Sequence, residues 1–518
     1  MEMTSKEIFI SCAFLVAFLI FIVWATFFSK QAKLKSDSME EFALGGRGFG
    51  YFIVVCTLIG VFLPASAYTG WYSWAMYEGL IAQYIVVYSI AAFFIMYLFT
   101  QRIWIWGKNF NLLTQPDFLQ LRFRSKPLSY VGAVSGLIIE APWMIIEFAS
   151  IGWLIAAVTG GVVNREIGIL IAGSLVIAYT IYGGMRSVAV AEIVKGILVL
   201  VVVIIGSVLI IYKLHGGFGN MYENILAVLP QNMTFNTGGA YTYSYWNSII
   251  LTGTLGCFGW LSMFARVYTA KSVKEVKKSA SGGAIFMVLI SVLLYIVAVG
   301  AILIPGAADS GEMAFFFMAK EAFGPVFLGL SGVMVLAAAM GFIAVVISAH
   351  SVVITENLIK PFKQNMTENQ RRKYSRITIL VYGIICMIIA MQDLPNLAHI
   401  AIVAYEGVVQ IIPVIIFGIF WRRANKWSGG IGYVVGLIIA IGLALYPMEI
   451  FGAWSGGVIG LVVNTIINII LGFAIKKEPY VDKLFDVVKT YKENAKGEQI
   501  VTEDSVEALN VACDLKAQ

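Results

Sequence analysis

The sequence predicts an all-α, polytopic membrane protein, and three observations carry that expectation. The chain of 518 residues is 59% hydrophobic and only 13% charged, whereas a soluble domain carries about 25% charged residues. Its apolar residues are gathered into runs long enough to cross a bilayer, which takes about 20 residues each. Lysines and arginines collect in alternate connecting loops, as expected for a chain threaded back and forth across a membrane.

About thirteen spans follow, near 7–28, 50–75, 80–100, 128–159, 166–182 and 189–213, then 243–265, 281–304, 322–358, 375–391, 397–420, 428–446 and 450–475. No small-residue cleavage site follows the first, so it is read as a true span and not a signal peptide. The second is punctuated by Thr57, Gly60, Pro64, Ser66, Tyr68, Thr69 and Gly70. Pro64 lacks an N–H and clashes with the preceding turn, so this helix is expected to break near Gly60–Pro64. Carbonyls freed at membrane depth must line a cavity or touch protein, which leaves a binding site and a packed kink as the two readings.

Trp143, Glu147 and Ser150 occupy the middle of the fourth span, with Glu140 seven residues earlier on the same face. A buried carboxylate needs a specific partner: a substrate amine, a proton, or Lys195. Gly183 and Gly184 separate the fifth span from the sixth, which opens with Glu192 and Lys195. A charge inside hydrocarbon costs about 2.5–3.5 kcal/mol, which makes intramembrane ionisable residues candidates for function. The alternative is a pair snorkelling to the headgroups. Gly253, Gly256 and Gly259 give the seventh span a break of its own, beside Phe258, Trp260 and Ser262. In the ninth, His350 is either titratable near neutral pH or a helix-end residue bonded to a neighbour.

Orientation rests on the basic loops. Lys30, Lys33, Lys35 and Arg47 follow the first span, and Arg102, Lys108, Arg122, Arg124 and Lys126 the third. Arg186 follows the fifth, Arg266, Lys271, Lys274, Lys277 and Lys278 the seventh, Lys360 to Lys373 the ninth, and Arg422, Arg423 and Lys426 the eleventh. These loops place the N-terminus outside and the C-terminus in the cytoplasm. The polar tail, 476–518, is expected to form an amphipathic helix around 479–492. Cysteines scattered singly give no disulfide frame or metal cluster, and no nucleotide-binding or catalytic motif is present. Neither an enzyme nor a nucleic-acid binder is expected, and no cofactor.

Several stretches, in order and at matching spacing, resemble the sodium/solute symporter family, solute carrier family 5-like, with its proline, pantothenate and sugar symporters. They are E-F-A-L-G-G-R at 41–47, T-Q-P-D-F-L-Q-L-R-F at 114–123, Y-T-I-Y-G-G-M-R at 179–186, Arg266 with A-K-S-V-K, and P-V-I-I-F-G-I-F-W-R-R-A-N-K-W-S-G at 413–429. The resemblance implies an inverted-repeat (5+5) core of the leucine-transporter type. Residues 1–28 would be an extra N-terminal helix, 50–213 the first repeat, 243–420 the second, and 428–475 two C-terminal helices. Substrate would lie midway, where helices are discontinuous, against Ser66, Tyr68, Trp143, Glu147, Ser150, Trp260 and Ser262. The coupling-ion region would hold Gly60, Leu63, Glu192, Lys195, Gly341 and Phe342.

The sequence departs from the family at that ion region. Adjacent serine and threonine ligands of the family's sodium site are replaced by Gly341 and Phe342; its T-D becomes Ala191-Glu192, a glutamine becomes Lys195, and Pro-His/Gln becomes Leu261-Ser262. Glu147 stands where the family has glutamine. A hard cation requires oxygen ligands, so sodium is doubtful, and Lys195 is expected to reach the vacant pocket and donate to the broken helix's carbonyls. The expected function is a secondary active transporter moving a small polar organic solute across the plasma membrane by alternating access, proton-coupled or uncoupled in preference to sodium-coupled. The alternatives are a sodium symporter with a rearranged ion site and a transporter-derived solute sensor. Its partners are the solute and the bilayer.

Overall fold

The computed structural model describes residues 3–27, 38–235, 242–394, 397–446, 448, 452–494, 496 and 498–500, without the side chains of Val61 and 183–191. Among the described residues there is no β-strand; helices carry the chain throughout. They begin with α1 (Ser5–Phe27), α2 (Met39–Leu44), α3 (Tyr51–Phe62), α4 (Gly70–Glu78), α5 (Tyr84–Asn109), α6 (Gln115–Phe123) and α7 (Lys126–Val158). Next come α8 (Arg165–Val199), α9 (Gly206–His215), α10 (Phe218–Val228), α11 (Tyr243–Gly256), α12 (Leu261–Thr269), α13 (Val273–Ala301) and α14 (Ala314–Val353). The chain closes with α15 (Glu368–Ala390), α16 (Leu397–Val408), α17 (Ile412–Phe420), α18 (Lys426–Leu445), α19 (Gly456–Ala474) and α20 (Tyr480–Lys489).

Eleven helical segments are long and apolar enough to cross a membrane, and twelve if α11 and α12 are one span bent by 45°. The sequence suggested about thirteen. The difference lies at the second, where α3 stops at Phe62, Leu63 leaves helical geometry at φ −126°, and Pro64 is extended. The proline ring forbids the next turn and supplies no N–H, so the span is divided into α3 and α4, neither long enough alone. The break expected at Gly183–Gly184 falls in 183–191, outside the described side chains.

The centre of the bundle is α14, in which every residue from Gly332 to Val353 is buried. A helix apolar all round belongs inside, and α14 is wrapped by α8, α7, α1, α15 and α3. The N-terminal helix is tied in as well: Ser11 Oγ donates to the Val158 carbonyl at 2.9 Å. Opposite, α3 packs against α8 and α13, α5 against α13 and α11, and α16 against α7.

The short helix α6 shows what one quoted motif does. Thr114 caps it and Asp117 reaches back to the Thr114 N–H, with Pro116 in the first turn. Asn357 donates to Asp117 at 2.7 Å and accepts from Thr114 at 2.8 Å. Arg122, read from the sequence as a loop charge, is fully buried and donates to the carbonyls of Gly418, Trp421 and Ala424. Burial holds its guanidinium down to about 10, still cationic at neutral pH. These charge-assisted bonds fasten α6 to the end of α17.

Candidate functional site

Two helix breaks interrupt the bundle. In the first, Glu147 of α7 is fully buried, and its two carboxylate oxygens accept from the backbone N–H groups of Ala65, at 2.8 Å, and Ser66, at 2.9 Å. The N–H groups left unpaired where a helix restarts are satisfied by an anion, and here the anion comes from the protein. Ser150, one turn on, donates to Ile146 O at 2.7 Å and lies 2.8 Å from Thr69 Oγ1. Of the residues expected to touch solute, Glu147 and Ser150 therefore hold the break in shape. Tyr68 packs on Phe315 with ring centroids 5.2 Å apart.

The second break, Cys257–Trp260 between α11 and α12, admits close neighbours. A Cβ on Gly259 would lie 2.7 Å from the Val408 carbonyl oxygen, so only glycine fits here. It delivers Trp260 to an aromatic cluster: Trp260–Tyr405 centroids are 5.4 Å apart, Trp143–Tyr405 5.6 Å, Trp143–Phe342 6.0 Å and Trp143–Trp260 6.1 Å. Trp143 stands between two spaces. One, a cavity of about 30 Å³, is lined by Pro64, Ser66, Trp71, Tyr84, Tyr88 and Ala398 among others. The other, a cavity of about 10 Å³, is lined by Glu140, Trp260, Ser262, Phe342 and Tyr405. Ser66, Trp143, Trp260 and Ser262 are thus brought to the chamber walls.

Glu140 was not among the expected site residues, nor was Tyr405. Ser262 Oγ donates to Glu140 Oε1, and His350 Nε2 lies 3.0 Å from Glu140 Oε2. His350 is fully buried within α14, with the Tyr382 ring edge-on at 5.1 Å. Its assignment to a helix end fails because the helix continues as a wider π turn to Ile359.

The ion region departs from expectation in one respect. Lys195 does not reach the vacated site; its Nζ makes no hydrogen bond and faces Glu192 Oε2 at 3.7 Å. The group in that space is the Glu192 carboxylate. A Cβ on Gly60 would stand 2.6 Å from Glu192 Oε2, and one on Gly341 would stand 2.5 Å from Oε1. The head of Glu192 is thus held between the end of α3 and the middle of α14. Both partners are buried, so the snorkelling alternative is excluded. Phe342 closes the same corner, its ring facing Trp143 on one side and the Arg266 guanidinium, 5.8 Å from its centroid, on the other. Leu63 is buried where α3 ends. Ala191 lies outside the described side chains.

Arg266, expected in a basic loop, is fully buried in α12 and its three guanidinium nitrogens make no hydrogen bond. The carboxylates acting on it electrostatically are Glu192 and Glu140. Three buried acids and two buried bases therefore share one region among α7, α8 and α12. Among the described residues no group of His, Cys, Asp and Glu side chains is arranged to hold a metal ion.

The sequence profile described as "Sodium:solute symporter family" matches residues 42–463. The chain belongs to that family. Two relatives from Bacillus subtilis (strain 168) are similar along most of their length: the uncharacterized symporter YhjB is 23% identical over 80% of this chain and 85% of its own. The uncharacterized symporter YodF is 24% identical over 92% of this chain and 96% of its own. Among solved structures, a substrate-bound, outward-open Na+-coupled sialic acid symporter aligns over 90% of this chain and 98% of its own, with a TM-score of 0.77 at 17% identity. Mhp1, a nucleobase-cation-symport-1 family transporter in a closed conformation, aligns over 93% and 100% with a TM-score of 0.56 at 13% identity. The fold is therefore that of the leucine-transporter type, and this sodium:solute symporter family member is a multi-pass membrane protein of a secondary solute transporter class.

Proposed function

We propose that this family member moves a small polar organic solute across the plasma membrane by alternating access, with an internal ion pair where the family's sodium ligands are expected. One observation carries the reading: the Glu192 carboxylate lies against both Gly60 and Gly341, with Lys195 Nζ 3.7 Å away. A hard cation gathers several oxygens around itself, and Gly341 and Phe342 contribute none from their side chains. An ammonium already neutralises the one carboxylate at hand. A sodium ion brought there would be repelled by Lys195 and by Arg266. Coupling to protons, or to no ion, is favoured over coupling to sodium.

The solute is assigned to the two spaces on either side of Trp143. Their walls combine aromatic rings with hydroxyls from Ser66, Tyr84, Tyr88 and Tyr405, a lining suited to a compact, hydrogen-bonding molecule. The breaks at Leu63–Thr69 and Cys257–Trp260 occupy corresponding places in segments 50–213 and 243–420, which supports dividing the core into inverted repeats there. The tail supports the orientation. Arg422 of the eleventh loop bonds Asp482 at 2.6 Å, Tyr480 donates to Arg122 O at 3.1 Å, and Glu493 accepts from Val273 N at 2.8 Å. The tail and three basic loops share one face, the cytoplasmic one by the positive-inside rule.

The test is uptake by the full chain in proteoliposomes against a panel of proline, pantothenate, lactate, glucose, urea and choline. The expected result is uptake of at least one compound that survives replacement of sodium by potassium. Uptake that collapses without sodium rejects the coupling assignment, and binding without uptake favours the sensor.

A further inference from the structure

We propose that Glu140 and His350 form the proton-carrying site of this transporter, loading one proton on the wall of the solute chamber. The inference rests on the transport reading above and deepens it by naming the coupling group. The chemistry is a single proton transfer: an O–H bond of a hydronium ion breaks as an N–H or O–H bond forms on the carboxylate–imidazole pair, leaving water, and release to water is the reverse.

Four features support the assignment. The pair is fully enclosed, Glu140 at 2% exposure and His350 at 0%, yet Glu140 lines the space beside Trp143 and Trp260. A charge change there is therefore felt by whatever occupies the chamber. Second, each polar side-chain atom of the pair has a partner except one: Ser262 holds Oε1, Oε2 faces Nε2, and only His350 Nδ1 has none. A proton can be gained or lost at Nδ1 without breaking an existing bond. Third, the three helices meeting here belong to different parts of the fold. Glu140 lies on α7, His350 on α14, and Ser262 in the first turn after the second break. A proton that alters the Ser262–Glu140 bond thereby bears on the break itself.

Fourth, the pair sits among other buried ionisable groups. Facing the pair are Arg266 from α12 and the Tyr382 phenol from α15; Glu192 and Lys195 from α8 lie beyond Arg266. On α7, Glu147 lies two turns away from Glu140. Three carboxyl groups, Glu140, Glu147 and Glu192, share the region with Lys195, Arg266 and the His350 imidazole, so a proton gained or lost by the pair changes the balance of the buried set. Uncompensated buried charge is costly, so proton occupancy sets how readily this region passes through the closed states of the cycle.

Infrared difference spectroscopy of the full chain in lipid, titrated between about pH 5 and 9 to bracket an ordinary imidazole near 6.5, tests this directly, with the proton as probe. The expected result is a protonated-carboxyl or imidazole band that rises as pH falls, is lost in Glu140→Gln, and moves its midpoint by about one pH unit or more in His350→Asn and in Ser262→Ala, since each removes a partner of the carboxylate. Should Glu140→Gln fail to fold, Ser262→Ala carries the test by itself. A pH response identical in wild type, His350→Asn and Ser262→Ala overturns the proposal. In proteoliposomes, accumulation of whichever panel compound is taken up should fall at least tenfold in Glu140→Gln when it is driven by a pH gradient. Wild type that takes up nothing from the panel rejects the transport reading, whereas uptake with the same pH profile in Glu140→Gln rejects this one.

Discussion

Replacing Gly341 with alanine adds one methyl group at a point 2.5 Å from Glu192 Oε1 and 2.8 Å from its Cδ. Real carbon–oxygen contacts do not approach so closely, so the carboxylate must move. It has nowhere to go on the opposite side, where a Cβ on Gly60 would lie 2.6 Å from Oε2. Overpacking a filled interior costs about 1–3 kcal/mol. If the carboxylate leaves Lys195, the loss approaches the roughly 3–5 kcal/mol of a broken buried pair. We therefore predict that Gly341→Ala, and separately Gly60→Ala, each destabilise the protein by about 1–5 kcal/mol. The same substitutions should cost almost nothing in a Glu192→Ala/Lys195→Met background, where the space is empty and no charge is stranded. The measurement is a mutant cycle read by thermal unfolding of the detergent-purified protein. Independent sites add within about 0.5 kcal/mol. Additivity of Gly341→Ala with the double substitution would show that the Glu192 carboxylate is not held against Gly341, and the argument about the sodium site would fall with it.

Other outcomes follow from the same geometry. Glu147→Gln leaves one of the Ala65 and Ser66 N–H groups facing an amide NH₂; a buried unpaired donor costs about 1–3 kcal/mol, so a lowered unfolding temperature is expected, and an unchanged one counts against the capping role. Lys195→Met should destabilise more than Lys195→Met/Glu192→Gln, because only the single variant strands a buried charge; the reverse order in thermal unfolding refutes the pairing. The Asp482 carboxyl is held below its usual range by hydrogen bonds from Lys477 and Arg422. A depressed carboxylate contributes stability that is present above the ordinary value of about 3.9 and is lost as pH falls through the lowered one. Limited proteolysis should therefore find the tail docked at neutral pH and released only in strong acid or in Arg422→Ala, and release between about pH 5 and 7 contradicts this.

What was legible in the sequence was whatever acts on the backbone locally or sums over many residues. Hydropathy declared the class, Pro64 declared the first break, and the glycines around Gly256 declared the second. The family-like stretches were also legible, and the structure places caps in three of them. Thr114 and Asp117 cap α6, Ser272 caps α13 and Asn425 caps α18. They report on how the fold is fastened, which is why they located the architecture better than the chamber. The site depends on pairs far apart in the chain. Glu140 meets His350 across 210 positions, and no periodicity records such a meeting. Arg122 and Arg266 misled because loop and interior arginines look alike in sequence; only the carbonyls of α17 reveal that Arg122 is internal. The Glu192 carboxylate took the space expected for the Lys195 amine for a related reason. A motif fixes where a residue sits on a helix and leaves open which side chain turns toward a gap. The clue available was size: Gly60 and Gly341, both without a side chain, make room for the shorter acid.

The carboxylate at Ala65 and Ser66 has a consequence for selectivity. In a discontinuous helix the restarted half points its positive end at the cavity, and an anionic headgroup on a cargo molecule can settle there. Here Glu147 takes both N–H groups from behind the wall, so that attraction is spent before any cargo arrives. A molecule carrying a carboxylate gains nothing from this helix end over one carrying a hydroxyl or an amide. Discrimination passes to the shape of the slot beside Trp143 and to the hydroxyls of Tyr84 and Tyr88, and the carrier should rank its cargo by outline and hydrogen-bond pattern more than by negative charge.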